Sequence, residues 1–215
     1  MAAADRTAVT VPRGRHAPPL EVRLSVQRRR LFEAAATVFA RVGYAEATAE
    51  AISREAGMSK ATFYEHFANK EECILALFDE AATEIMRAMA AASDAEGHGS
   101  YEERVQAVVH AFLETLASYP AEAQTLLVQI IGAGPRAAAR RDAILEAFAD
   151  SLYRDNQRAA PAYGVPTFAS RDDAFAIIGA SVELVSRSLR TGQPPDVLAL
   201  EPVITRLMLG ALERA

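Results

Sequence analysis

Apolar residues recur along this chain at three- and four-residue intervals almost from end to end. Leu31, Ala35, Val38, Phe39 and Val42 fall at i, i+4, i+7, i+8 and i+11, which is one face of a helix. Arg28, Arg29 and Arg30 stand near its start, Gly43 supplies a stop, and Tyr44 follows. Thr48 is a suitable N-cap for a short helix over "AEAISREA", which Gly57 ends. Ser59 then caps a third helix. Ile52, Met58 and Phe63 supply apolar groups where the two short helices cross, Ser53 is small, and Gly57 suits the left-handed turn position. This spacing predicts a helix-turn-helix. Val and Ile nowhere alternate with polar residues over a convincing stretch, so no strand is expected.

A long helix is predicted from Asn69 to about Ala92, with Ile74, Leu77, Phe78, Ala81, Ile85, Ala88 and Met89 as its buried stripe. Asn69 can cap it, and Glu71 and Glu72 suit the positive end of the helix dipole. "DAEGHGS" divides it from five further helices, at about 101–118, 121–131, 136–160, 172–190 and 197–213. Pro120 is placed to open one of them, "GAGP" at 132–135 separates two, and "PAYGVP" and "TGQPP" join the rest. The expectation is an all-α chain of about nine helices, divided as a flexible tail (1–22), a helix-turn-helix head (23–70) and a helical body (71–215). The last two helices are apolar on more than one face, where the surface helix of a monomer needs one stripe. Ile178, Val182, Val185 and Leu189, with Ile204, Leu207, Met208 and Ala211, are therefore expected at a dimer interface. Gly179, Ala180, Gly210 and Ala211 would permit close approach of helices.

Charge adds a direction to this layout. Residues 1–70 carry a net +4 and residues 71–215 a net −9, giving the −5 of the whole chain. A basic front on an acidic body suits an anion-binding module. "PRGRH" at 12–16 can serve as a basic arm for a minor groove. The single cysteine, Cys73, excludes an intrachain disulfide. The N-terminus lacks the apolar core of a signal peptide, and no run of about 18 apolar residues suggests a membrane span, so a cytoplasmic protein is expected.

Catalysis finds no constellation. His16, His66, His98 and His110 form neither H-E-x-x-H nor a Cys/His zinc pattern. "IGAGPR" lacks the lysine and hydroxyl of a phosphate loop, and no serine stands in G-x-S-x-G. An enzyme that modifies small molecules is the reading from another class that these absences disfavour. No cofactor and no metal is expected.

The stretch "FARVGYAEATAEAISREAGMSKATFYEHFANKEECILAL" resembles the N-terminal DNA-binding domain of the tetracycline-repressor (TetR) family of bacterial transcriptional regulators. The matching pieces are "GY" at 43–44, Thr48, "ISREAGMS" at 52–59, "ATFYEHF" at 61–67 and "NKEE" at 69–72. Ser53 and Ala61 depart from the common Ala and Gly, but both are small. The resemblance implies a homodimer on a palindromic operator in double-stranded DNA, dimerised through its last two main helices, with a cavity for a small molecule in each body. It implies DNA contacts at Tyr64 and His66. The residue types add Lys60 and Thr62 as base or phosphate contacts, Ala61 for close approach, Ser59 as cap or contact, and Thr48 and Lys70 on phosphates. One of Arg28–Arg30 is expected near a phosphate. Phe63 and Phe67 are assigned to the core.

A mostly apolar effector pocket is expected from His110, Phe112, Tyr119, Gln129, Phe148, Leu152 and Phe175, with Leu116, Gln124, Tyr153 and Glu183 nearby. An apolar or aromatic effector fits such a lining. The expected role is repression relieved by that effector. An activator, or a regulator answering to a protein, would show the same head.

Overall fold

The structure, a computed structural model, describes residues 19–212. The expected basic arm at 12–16 and most of the expected tail lie outside them. Nine α-helices make up the described residues, with no strand among them. They are α1 Leu20–Glu46, α2 Ala49–Glu55, α3 Lys60–His66, α4 Lys70–Ser93, α5 Tyr101–Ser118, α6 Pro120–Leu127, α7 Pro135–Ala159, α8 Arg171–Thr191 and α9 Glu201–Leu212. Short 3-10 turns at Gln129–Gly132, Ala160–Tyr163 and Val197–Leu200 complete the order.

Local chemistry sets most of these boundaries. Thr48, Ser59, Asn69, Ser100 and Ser170 each accept a hydrogen bond from a backbone N–H of the first turn they precede. Pro120 and Pro135 occupy the first positions of α6 and α7, where a missing N–H costs nothing. The helical path of α1 breaks at Gly43, whose φ of +80° favours glycine. Three expectations shift. The first helix starts at Leu20, inside the expected tail. The helix expected over 121–131 ends at Leu127 and tightens into a 3-10 turn. The last helix begins with another such turn at Val197.

One core runs through the whole molecule, from Leu31, Phe39, Phe63 and Phe67 near the N-terminus to Ile204 and Leu212 near the C-terminus. α4 packs along α5, α7 along α8, α1 on α6, and α5 on α9. Phe63 and Phe67 are buried as expected, and Phe67 stacks against Phe32 with ring centroids 5.5 Å apart. No helix among the described residues is long and apolar enough to cross a membrane.

A buried polar cluster fixes the far end of the body. Arg104 is 5% exposed and grips Asp155 with two hydrogen bonds of 2.7 Å. Its Nε donates to the Ser93 carbonyl at 3.1 Å. Fully buried Asn156 donates to the Tyr101 hydroxyl and accepts from the Phe168 N–H, both at 2.8 Å. These bonds tie α4, α5 and α7 together and hold the loop before α8.

Candidate functional site

The head is built on α2 and α3. Gly57, at φ +64°, makes the turn between them, and the Met58 N–H donates to the Ser53 carbonyl at 2.8 Å. Arg30 reaches over this corner and donates to the Ala56 carbonyl at 2.8 Å. Phe63 and Phe67 anchor α3 from behind. In front, Ser59, Lys60, Ala61 and Tyr64 are exposed, and Thr62 is half-buried. The Ser59 hydroxyl accepts from the Thr62 N–H at 3.0 Å and lies 3.0 Å from the Thr62 hydroxyl. Lys60 Nζ stands 6.0 Å from the Tyr64 ring centroid, a loose cation–π approach. A convex helix with a cation, a phenol and hydroxyls on one face can enter a major groove and meet base edges and phosphates together.

Several residues singled out for the head have other partners. The ammonium of Lys70 donates to the carbonyls of Tyr44, Ala45 and Ala47, at 2.8, 2.8 and 3.0 Å. It also sits 4.6 Å from the Tyr44 ring centroid. An ammonium has three donors, and all three are taken here. The structure thus gives Lys70 a different task from the expected phosphate contact: it closes the frayed end of α1 against α4. Thr48 is occupied as the α2 cap, accepting from the Ala51 N–H at 3.1 Å. His66 Nε2 lies 3.4 Å from Gln27 Oε1. Burial, and then the nearby Arg28 charge, hold its pKa below the ordinary value, so the ring is neutral at pH 7. Arg28 stacks over Phe32 and Phe67 at 4.9 and 5.1 Å, and Arg29 pairs with Glu33.

The body holds an apolar cavity of about 70 Å³. Its walls come from α4 (Phe78, Ile85, Met89), α5 (Val108, Phe112), α6 (Leu126, Leu127), α7 (Ile144, Leu145, Phe148, Leu152), α8 (Ile177, Ile178, Val182) and α9 (Ile204, Met208). Arg141 and Ser181 are its polar wall residues. Met89, Val108, Phe148 and Leu152 also wall an adjoining recess of about 270 Å³ rimmed by Ser93, Arg154, Asp155 and Arg158.

Of the residues expected here, Phe112, Phe148 and Leu152 line the cavity; the others do not. His110 is half-exposed on the outside of α5, with Nδ1 2.8 Å from Glu201 Oε2. That hydrogen bond raises its pKa. Tyr119 faces an outer groove between α1 and α5, beside Leu116 and Glu122. Gln129 turns to the head, where its Oε1 accepts from the Tyr44 N–H at 3.3 Å. Phe175 is 38% exposed on α8, and Glu183 pairs with Arg190 at the surface. Sequence reasoning passed over Arg141, although a signal exists: it shares one helical face with Leu145, Phe148 and Leu152 at i, i+4, i+7 and i+11.

The expected dimer stripe also divides. Ile178, Val182, Val185, Ile204 and Met208 are buried within the single chain, where all but Val185 wall the cavity. Leu189 is half-buried against the core. The apolar surface left outward on these helices is Phe175, Ala176 and Ala180 on α8 and Val203 and Leu207 on α9, with Gly179, Gly210 and Ala211 half-buried between. Of the predicted stripe, Leu207 and Ala211 belong to this face.

A helix-turn-helix head with an exposed second helix, on a helical body that holds an apolar cavity, is the architecture of a DNA-binding regulator. Comparison makes the family explicit. Residues 31–77 match the family model described as bacterial regulatory proteins, tetR family. The fold is that of the fatty acid degradation regulator FadR from Bacillus halodurans, with a TM-score of 0.75 at 20% identity over 86% of this chain and 96% of that one. A transcriptional regulator FadR from Bacillus subtilis, in complex with stearoyl-CoA, aligns with a TM-score of 0.72 at 19% identity over 85% and 98%. The TetR family transcriptional regulator PfmR from Thermus thermophilus aligns with a TM-score of 0.66 at 21% identity over 87% and 98%. A search of curated proteins by sequence finds no match. Residues 31–77 thus match the DNA-binding domain of the tetR family, on a chain that shares the fold of these regulators.

Proposed function

We propose that this regulator binds a palindromic operator as a homodimer and represses transcription until an apolar effector enters the body. Residues 23–70 then act as the DNA-reading head and residues 71–215 as the effector-binding and dimerisation body. The observation that carries this reading is the double role of the α6 segment. Leu126 and Leu127 wall the cavity. On the same segment Thr125 donates to the Ala36 carbonyl at 3.4 Å, and Gln129 accepts from the Tyr44 N–H. An effector that widens the cavity displaces α6, and these bonds carry the displacement to α1 and the head. Two heads must present α3 about 34–36 Å apart to meet successive major grooves, so a small displacement lowers affinity.

Lys60 and Tyr64 are the contacts favoured by exposure and reach, with half-buried Thr62 between them and Ser59, Ala61 and His66 at the margin. The outward face of Ala176, Ala180, Val203 and Leu207 supplies the dimer contact, since small residues let helices approach closely. The cavity is narrow, but the flexible methionines Met89 and Met208 in its wall allow it to widen. The stearoyl-CoA of the Bacillus subtilis neighbour carries an apolar chain, which suits such a lining. Repression and release are tested together by a promoter–reporter fusion. Expression that rises on deletion of the gene supports repression; expression that falls identifies an activator.

A further inference from the structure

We propose that Arg141 reads a carboxylate at one end of an extended apolar ligand, so that the effector is a fatty-acid-like amphipath. This inference rests on the effector reading above. Arg141 lines the apolar cavity, yet its one carboxylate neighbour, Asp142, is 3.8 Å away and 74% exposed. A pair of that kind is screened by solvent and weak. Other arginines of α7 are engaged: Arg136 with Glu71 and Glu72, Arg140 with Asp79, and Arg158 with Asp94 and Asp155. Among the described residues Arg141 donates no side-chain hydrogen bond.

A guanidinium on an apolar wall is favourable when a ligand brings the matching anion. Its planar fork fits the two oxygens of a carboxylate. From Arg141, the stripe of Leu145, Phe148 and Leu152 runs eleven residues along α7, about 16 Å at the helical rise. That is a track for an extended alkyl chain. At its far end the recess is rimmed by Arg158, already paired with Asp94 and Asp155, and by Arg154, which stands exposed to solvent, so the half-buried guanidinium left without a strong partner on the apolar track is that of Arg141.

The test compares dodecanoate, dodecanol and dodecanoyl-CoA by calorimetry and by release of labelled operator DNA, all below their micelle concentrations. Wild type should bind dodecanoate at least about tenfold tighter than dodecanol, as a charge-assisted bidentate contact provides. Arg141→Leu should bind the two equally, and Arg141→Lys should fall between. Dodecanol binding reports that each variant's cavity is intact; where Arg141→Leu does not fold, Arg141→Gln takes its place with the same expectation. Equal binding of dodecanoate and dodecanol by wild type overturns the inference and leaves the effector reading standing. So does a preference that survives Arg141→Leu, or a preference for dodecanoyl-CoA that Arg141→Leu does not change. Absence of binding by all three overturns both.

Discussion

Lys70→Met separates two roles that a lysine beside a DNA-reading helix can play. The substitution keeps the stem and removes the ammonium. In the structure that ammonium holds the carbonyls of Tyr44, Ala45 and Ala47, beside the break at Gly43. The bond to Ala45 is at the surface, where water replaces it. The other two are partly buried, and bonds from a charged donor contribute about 1.5 kcal/mol each at the lower end of their range. The contact with the Tyr44 ring adds about 0.5 kcal/mol. The expected loss is about 3.5 kcal/mol, or a melting temperature lower by roughly 7–14 °C in a chain of this size. DNA affinity should fall for every sequence alike, because the α1–α2 corner that presents α3 is loosened. The slope of log affinity against log salt should stay unchanged, since no phosphate contact is lost. Differential scanning fluorimetry and anisotropy titrations at several salt concentrations measure both. An unchanged melting temperature with a salt slope shallower by about one would refute the structural role and establish a phosphate contact.

Three further outcomes follow from other parts of the molecule. Arg104→Ala leaves the Asp155 carboxylate partly buried without its main partner and should cost about 3 kcal/mol, read by urea denaturation; a loss under about 0.5 kcal/mol would show the cluster to be dispensable. His110 gains its partner Glu201 only in the folded chain, which raises its pKa above the ordinary 6.5. Its contribution is therefore complete below that value and lost as pH rises through the raised one, so wild type should lose melting temperature relative to His110→Gln as pH is raised from below the ordinary value to above the raised one. A constant difference would remove the linkage. Cys73 is fully buried, and burial pushes its thiol pKa up to about 12, so the native protein should resist a thiol reagent that reacts at once after denaturation. Rapid labelling of the native protein would contradict that burial.

The head was legible because its signals are local. Gly57 at the turn, Ser59 and Asn69 at the caps, and Phe63 and Phe67 four apart each act within a few residues, and the structure uses them as their spacing suggests. The body was legible as helices but not as a site. Two apolar stripes on α8 and α9 are visible in the sequence, but which one turns inward depends on α5 and α7, which pack against them from far along the chain. Phe112 and Phe148 lie on stripes that face the cavity, whereas His110 stands two residues from Phe112, on the opposite side of α5. Arg104 and Asp155 could not be paired from sequence, because 51 positions separate them and each resembles an ordinary surface charge. Lys70 misled for the same reason: its partners belong to the end of the preceding long helix, more than twenty positions earlier.

The central claim is that α3 reads a specific operator, and one titration tests it most directly. Fluorescence anisotropy should be measured with labelled DNA from the intergenic region beside the gene, against a scrambled duplex of equal length, at two salt concentrations. The account predicts saturable binding of two chains per site, at least about a thousandfold tighter than to the scrambled duplex, weakening steeply with salt, and losing its preference in Lys60→Ala. Equal affinity for both duplexes, or no binding to either, would contradict it.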